Sequence, residues 1–339
     1  MAASSPSLVE ACSTENRWAG YRDLLDRYAA RLASQPETSA VVVLGGLAKG
    51  GSRMFVDEVS DLDIAVIVSI DPPAELLSLP FPAFAEHVQP YLPRWLPNFK
   101  FRVPASETPY GVPIDIDTHQ LVIEYESQRH VAWNLAKLEA YAETAEIVHD
   151  PDGLGRTLVD AKVSAGRELL RRHLVKTVAM RDVLAEGAVA RSLRRGYTIH
   201  AQDILGAMLD DTVVAIYAAN DRFPPDRKWR IIGLGDLPWQ PLDAIARIGE
   251  AMLVQAHGQV VVEHRQRIVL GLLDELRDYC ERTLDWFPAD AYTHAVTGIY
   301  PDRQLRGMTS ADDLVAPIRE QYAKMDEDRW NRANWMLSR

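Results

Sequence analysis

Between Val41 and Ser69 the chain reads VVVLGGLAKGGSRMFVDEVSDLDIAVIVS. The apolar run Val41–Leu44 predicts a buried strand, and Gly45, Gly46, Gly50 and Gly51 predict a glycine-rich turn after it. Ser60–Ser69 predicts a second strand that opens with two aspartates, Asp61 and Asp63, one residue apart. Side chains alternate along a strand, so both carboxylates emerge on one face. The remainder, Leu62 and Ile64–Val68, is apolar on both faces, as a central strand requires. Two carboxylates held this close repel unless a cation lies between them. A divalent metal is the simplest reason to keep them.

Outward from this stretch the pattern is α/β. Apolar residues at helical spacing predict an amphipathic helix over Asn16–Ser34. Ala74–Leu92 reads as helical, interrupted by Pro80, Pro82 and Pro90. Phe99–Val103 predicts a short strand. Ile114–Glu124 alternates polar and apolar residues, which predicts another strand with Asp115 and Asp117 on one face and His119 following. A single long helix is expected over Ser127–Val148, and a turn over His149–Gly153. That turn is the expected domain boundary, dividing an α/β domain with a mixed sheet (1–150) from an all-α C-terminal domain (151–339). Helices are expected over Leu158–Glu186, His200–Ala219, Leu242–Ala256, Val261–Leu284 and Asp312–Trp335.

A chain of 339 residues is long for one core. Its two cysteines, Cys12 and Cys280, lie far apart, in neither a disulfide framework nor a zinc pattern. The first residues lack the basic flank and apolar run of a signal peptide, and no stretch reaches membrane-spanning length. A cytoplasmic protein without a membrane partner is expected. Acids outnumber bases 48 to 37, for a net charge of −11. Phosphate contacts supply most nucleic-acid affinity, so a long nucleic acid is not the expected partner.

The Gly45–Gly46 pair allows close approach of backbone to ligand, and successive N–H groups in such a turn form a concavity for phosphate oxygens. Gly45–Gly50 has Walker-A glycine spacing, but Gly51 stands where the lysine belongs. There is no Gly-x-Ser-x-Gly elbow and no His-Glu-x-x-His. His173 reads as a solvated histidine, and Trp330 and Trp335 as packing anchors.

The strings L-G-G-L-A-K-G, S-D-L-D-I and I-D-T-H together resemble the signature of the DNA polymerase β-like nucleotidyltransferase superfamily. The small-molecule branch, with aminoglycoside and lincosamide nucleotidyltransferases, is the most similar. The resemblance implies that Asp61 and Asp63 form a metal-binding pair and that Asp117, rather than Asp115, is the third catalytic and metal-binding acid. It places Gly45, Gly46 and Ser60 at the nucleotide. The segment Ala219–Trp229 resembles a loop in the helical half of some members, which adds Lys228, and Lys176 is a second candidate to neutralise phosphate. The turn is longer than is common, with a small insertion around Gly51–Val56. The implied reaction moves a nucleoside monophosphate, AMP from ATP, to a hydroxyl of a small molecule such as an antibiotic, with two Mg²⁺ ions assisting. A protein or tRNA-end acceptor, or a nucleotide-binding regulatory module without turnover, are the alternatives.

Overall fold

The computed structural model describes residues 17–48, 60–69, 87–91, 98–128, 133–253, 258–292 and 294–295, with only the backbone described for 87–91 and 98–101. Gly50, Gly51, the insertion around Gly51–Val56, most of Ala74–Leu92, Cys12 and the expected helix Asp312–Trp335 with both its tryptophans lie outside the described residues. The chain divides into two compact units, Leu8–Ala165 and the part from Gly166 onward. Among the described residues no helix is long and apolar enough to cross a membrane.

Among the described residues the first unit is built on a six-stranded mixed sheet. Helix α1 (Trp18–Ala33) precedes β1 (Thr38–Val43), and after the glycine turn comes β2 (Leu62–Val68). Strands β3 (His87–Tyr91), β4 (Asn98–Val103) and β5 (Ile114–Val122) follow, then the short helix α2 (Ile123–Glu126), helix α3 (Leu135–Glu143) and β6 (Glu146–His149). The spatial order is β3-β4-β5-β2-β1-β6. Strands β2 and β5 run parallel at the centre, and the other pairings are antiparallel. Pro90 lies in β3, at a sheet edge, where a missing N–H is tolerated.

The core of this unit follows from two periodicities meeting. Tyr21, Leu24, Leu25, Tyr28 and Leu32 form one stripe of α1. They cover Val41 and Val43 of β1, Leu62, Ile64, Val66 and Val68 of β2, and Ile114 and Ile116 of β5. Those strand residues alternate with others, so the sheet turns a second set toward its opposite face. Asp63, Ala65 and Ile67 belong to that second set. Beside Ala40 and Ile67 stands Gly155, where a Cβ would come within 2.6 Å of the Ala40 Cβ. Only a glycine lets the start of α4 (Leu154–Met180) approach the strands this closely. The carboxylate of Asp150 accepts the N–H groups of Gly155 and Arg156 there, at 3.1 and 2.8 Å.

Two expectations are corrected in this unit. Ser127–Val148 is not one helix: Asn134 caps a shorter α3 by accepting from the Lys137 N–H at 2.7 Å, and the chain then turns into β6. β6 exists because β1 offers an unpaired edge, a tertiary cause that local periodicity does not carry. Likewise His87–Tyr91, expected at the end of a helix, is strand β3 paired to β4.

From Leu154 on, every described element is helical. α4 continues as a π-helical segment (Arg181–Ala188) into α5 (Val189–Arg194), followed by α6 (Thr198–Ala219), the short α7 (Arg227–Arg230), α8 (Ala244–Leu253) and α9 (Gln259–Thr283). In the second unit α6 packs on α9, with Leu205, Leu209, Ile216, Val269, Leu272 and Leu276 all buried. The π segment is held from outside: Arg181 bonds both carboxylate oxygens of Asp274, at 2.8 and 3.0 Å, and Gln266 donates to the Ala185 carbonyl at 2.8 Å. His173, expected to be solvated, is instead half-buried against α6, where Nε2 hydrogen-bonds with the Asp211 backbone oxygen at 3.2 Å.

Candidate active site

β2 and β5 run in parallel register, with Asp63 directly opposite Asp117 and Leu62 opposite Ile116. Directly opposed residues on neighbouring strands project to the same face, so the Asp63 and Asp117 carboxylates share the face turned away from α1. Asp61 and Ser60 immediately precede β2, and Asp61 is exposed. The side chain of Asp63 is 39% exposed, which leaves its carboxylate open to a ligand. His119, two residues beyond Asp117 on the same face, brings Nε2 to 3.8 Å from the Asp63 Oδ1.

Asp115 projects to this face as well but has a different occupation. Arg102, its register partner on β4, grips both oxygens: Nε donates to Oδ1 at 2.9 Å and Nη2 to Oδ2 at 3.1 Å. A bidentate guanidinium uses the lone pairs that a metal would need.

The glycine turn abuts the same carboxylate. Gly45 has φ of +64°, a left-handed conformation that side chains disfavour, and a Cβ there would lie 3.2 Å from the Asp63 Oδ2. The Leu44 N–H donates to the Asp63 carbonyl at 3.0 Å, tying the turn's entry to β2. Gly45–Leu47 forms a single 3₁₀ turn that includes Gly46 and closes with the Ala48 N–H donating to the Gly45 carbonyl at 3.3 Å. Its exit is held by Arg22 of α1, whose Nη1 donates to the Leu47 carbonyl at 2.9 Å.

Lys228 belongs to the second unit. It lies exposed in α7, its backbone N–H capped by Asp226 at 3.2 Å and its ammonium 5.8 Å from the Trp229 ring centre. Lys176 is an exposed residue of α4 in that unit.

Two groups beside the acids were not expected from the sequence. Arg22 is one, and its signal is positional: Trp18, Arg22, Leu25 and Ala29 follow helical spacing, which places a guanidinium on the apolar stripe. The second is a buried polar cluster after β5. Trp133 Nε1 donates to the Glu126 carboxylate, and Lys137 Nζ lies 3.3 and 3.4 Å from its two oxygens. Lys137 also sits 4.3 Å from the Trp133 ring centre, and Tyr141 packs on that ring at 4.6 Å. Burial lowers the Lys137 pKa, partly offset by Glu126. Burial also raises that of Tyr141, and the charges of Glu126 and Asp63 raise it further.

Among the described residues no group of three His, Cys, Asp or Glu side chains is arranged to hold a metal by itself. Mg²⁺ needs less than that. It binds through one or two carboxylates and fills its remaining positions with water and substrate phosphate. The donor set at Asp63, open to solvent and composed of hard carboxylate oxygens, fits such an ion.

No protein-family model matches this chain, and no curated protein matches it. Among solved structures a nucleotidyltransferase-like protein from Exiguobacterium sibiricum 255-15 is similar, at 13% identity over 84% of this chain and 80% of that one, with a TM-score of 0.35. A likeness of this size carries no chemistry, so function rests on the site itself.

Proposed function

We propose that this chain is an Mg²⁺-dependent nucleotidyltransferase of the DNA polymerase β-like kind, transferring AMP from ATP to a hydroxyl of a small molecule and releasing pyrophosphate. The observation that carries the reading is the register pairing of Asp63 with Asp117 across two parallel central strands, with the Gly45 turn in contact with the first of them. A phosphoryl group in transfer needs positioning and charge stabilisation more than covalent help. Two acids on one face beside an open glycine turn supply places for both.

In this reading Asp61 and Asp63 hold Mg²⁺, which when bound neutralises charge on the phosphate oxygens. Backbone N–H groups of the turn at Gly45 and Gly46 receive the phosphate tail. His119 stands beside the Asp63 carboxylate, its Nε2 3.8 Å from Oδ1. The acceptor's hydroxyl oxygen forms a bond to the α-phosphorus as the bond from that phosphorus to the bridging oxygen breaks. The bridging oxygen leaves on pyrophosphate with the electron pair, and the hydroxyl proton passes to a carboxylate oxygen of Asp117. Asp115 takes no part, since Arg102 occupies it. The chain acts in the cytoplasm, with a mixed-sheet catalytic domain followed by an all-α domain.

The test is pyrophosphate release from Mg²⁺ and each nucleoside triphosphate in turn, over a panel of hydroxylated and aminated small molecules headed by aminoglycosides and lincosamides. Release that depends on one acceptor is expected. Failure of MgATP and the other triphosphates to bind in calorimetry sinks the reading.

A further inference from the structure

Tyr141 carries a hydroxyl that no described residue engages. The residue is 5% exposed, and its phenolic oxygen is buried with no hydrogen-bond partner among the described residues. Its neighbours are not in that condition: Trp133 Nε1 and Lys137 Nζ both serve the Glu126 carboxylate, and Lys162 Nζ donates to the Gln128 carbonyl at 3.0 Å. A buried polar group without a partner is unfavourable, and phenylalanine would fill the same space without that cost. Such a hydroxyl has a hydrogen bond to offer a ligand.

We propose that Tyr141 is a substrate-contacting residue whose hydroxyl donates a hydrogen bond to a phosphate oxygen of the nucleotide held at Asp63 and Asp117. The inference rests on the nucleotidyltransferase reading and names a contact within it. Burial together with the charges of Glu126 and Asp63 keeps the phenol protonated, so it acts as a donor and not as a base. A donor needs an oxygen with free lone pairs, and the anionic oxygens of a nucleotide phosphate accept more strongly than neutral ones. Lys137 and Lys162 bring two basic side chains to the cluster around Glu126.

Tyr141→Phe in the full-length chain separates the possibilities, because it removes one oxygen atom and keeps the ring on Trp133. The expected result is a melting temperature equal to or above that of the unsubstituted protein, with MgATP affinity in calorimetry reduced about tenfold, the loss typical of one hydrogen bond to a charged group. Adenosine, which has no phosphate, should bind both proteins equally. A lower melting temperature overturns the proposal, since the hydroxyl then has a structural partner. Equal MgATP affinity overturns it as well, and an equal loss for adenosine overturns the phosphate assignment. If the unsubstituted protein binds no MgATP, the nucleotidyltransferase reading falls and this contact with it. If it binds and Tyr141→Phe binds as tightly, only the contact falls.

Discussion

The guanidinium of Arg22 donates to the carbonyl of Leu47 at 2.9 Å, across 25 positions of sequence, and so fastens helix α1 to the exit of the glycine turn. The same guanidinium reaches Glu146 of β6, with Nη2 at 3.0 Å from Oε1, and Asp26 at 2.8 Å from Nε. Its side chain is 10% exposed, so the pair with Glu146 is largely withdrawn from water. Removing Arg22 takes a charged partner from Glu146 and Asp26 and a donor from the Leu47 carbonyl at once, and loss of a largely buried partner costs roughly 3–5 kcal/mol. Arg22→Ala should therefore lower the urea midpoint strongly. Replacing Arg22 and Glu146 together by apolar residues should cost less than the sum of the single changes. Additive losses in a double-mutant cycle would show that the two side chains do not act as a pair.

The acids of the sheet separate by their surroundings. Asp63→Asn and Asp117→Asn each remove charge from the shared face and should abolish pyrophosphate release, with melting temperatures near that of the parent. Asp115→Asn breaks an ion pair whose arginine is half in solvent, a change worth about 0–1 kcal/mol. It should leave turnover within a few-fold, roughly the effect of less than 1 kcal/mol on a barrier. Side-by-side assays of the three variants decide the matter. An inactive Asp115→Asn with active Asp117→Asn would exchange their roles.

Gly45 combines a positive φ with a carboxylate in front of it. An alanine there incurs left-handed strain of about 1–2 kcal/mol. Its methyl group also meets the Asp63 Oδ2 at 3.2 Å, so the carboxylate must shift by a few tenths of an ångström. Gly45→Ala should lose modest stability and more than about tenfold in turnover, since a barrier increase of roughly 1.4 kcal/mol is tenfold. Full turnover in a destabilised Gly45→Ala would mean that the turn and the acid do not work together.

What the residues reveal in advance depends on whether the cause is local. The two central strands and the glycine turn are legible because period-two alternation and glycine chemistry operate within a few residues, whereas the shared face of Asp63 and Asp117 is set by the register of β2 on β5. The amphipathic stripe of α1 is legible for the same kind of reason, with period 3.6. β6 is not, because Glu146–His149 is a strand only by virtue of its pairing with β1. The π segment at Arg181–Ala188 is equally hidden, since Asp274 and Gln266, some 80–93 positions away, hold it. The grip of Arg102 on Asp115 is likewise hidden, because it comes from another strand. Tyr141 shows no sign in its own neighbourhood. Its interest comes from a hydroxyl that no described residue hydrogen-bonds.

His173 ties the pH dependence of stability to the helical unit. Its Nε2 hydrogen-bonds with the Asp211 backbone oxygen at 3.2 Å and with the Thr177 hydroxyl at 3.3 Å. Burial lowers its pKa, the carboxylate and backbone of Asp211 oppose that shift, and Lys176 and Arg230 add to the lowering. In the unfolded chain the imidazole binds a proton near its ordinary value of about 6.5. Between that value and the lower folded one, the unfolded state holds more protons, so stability rises with pH across the window. The contribution is fully present above about pH 7 and is lost as the pH falls through the folded value, with a slope of at most about 1.4 kcal/mol per pH unit. Urea midpoints measured at pH 7.5, 6.5 and 5.5 should drop more steeply in the parent than in His173→Gln, which cannot titrate. Parallel curves for the two proteins would place the acid sensitivity elsewhere in the fold.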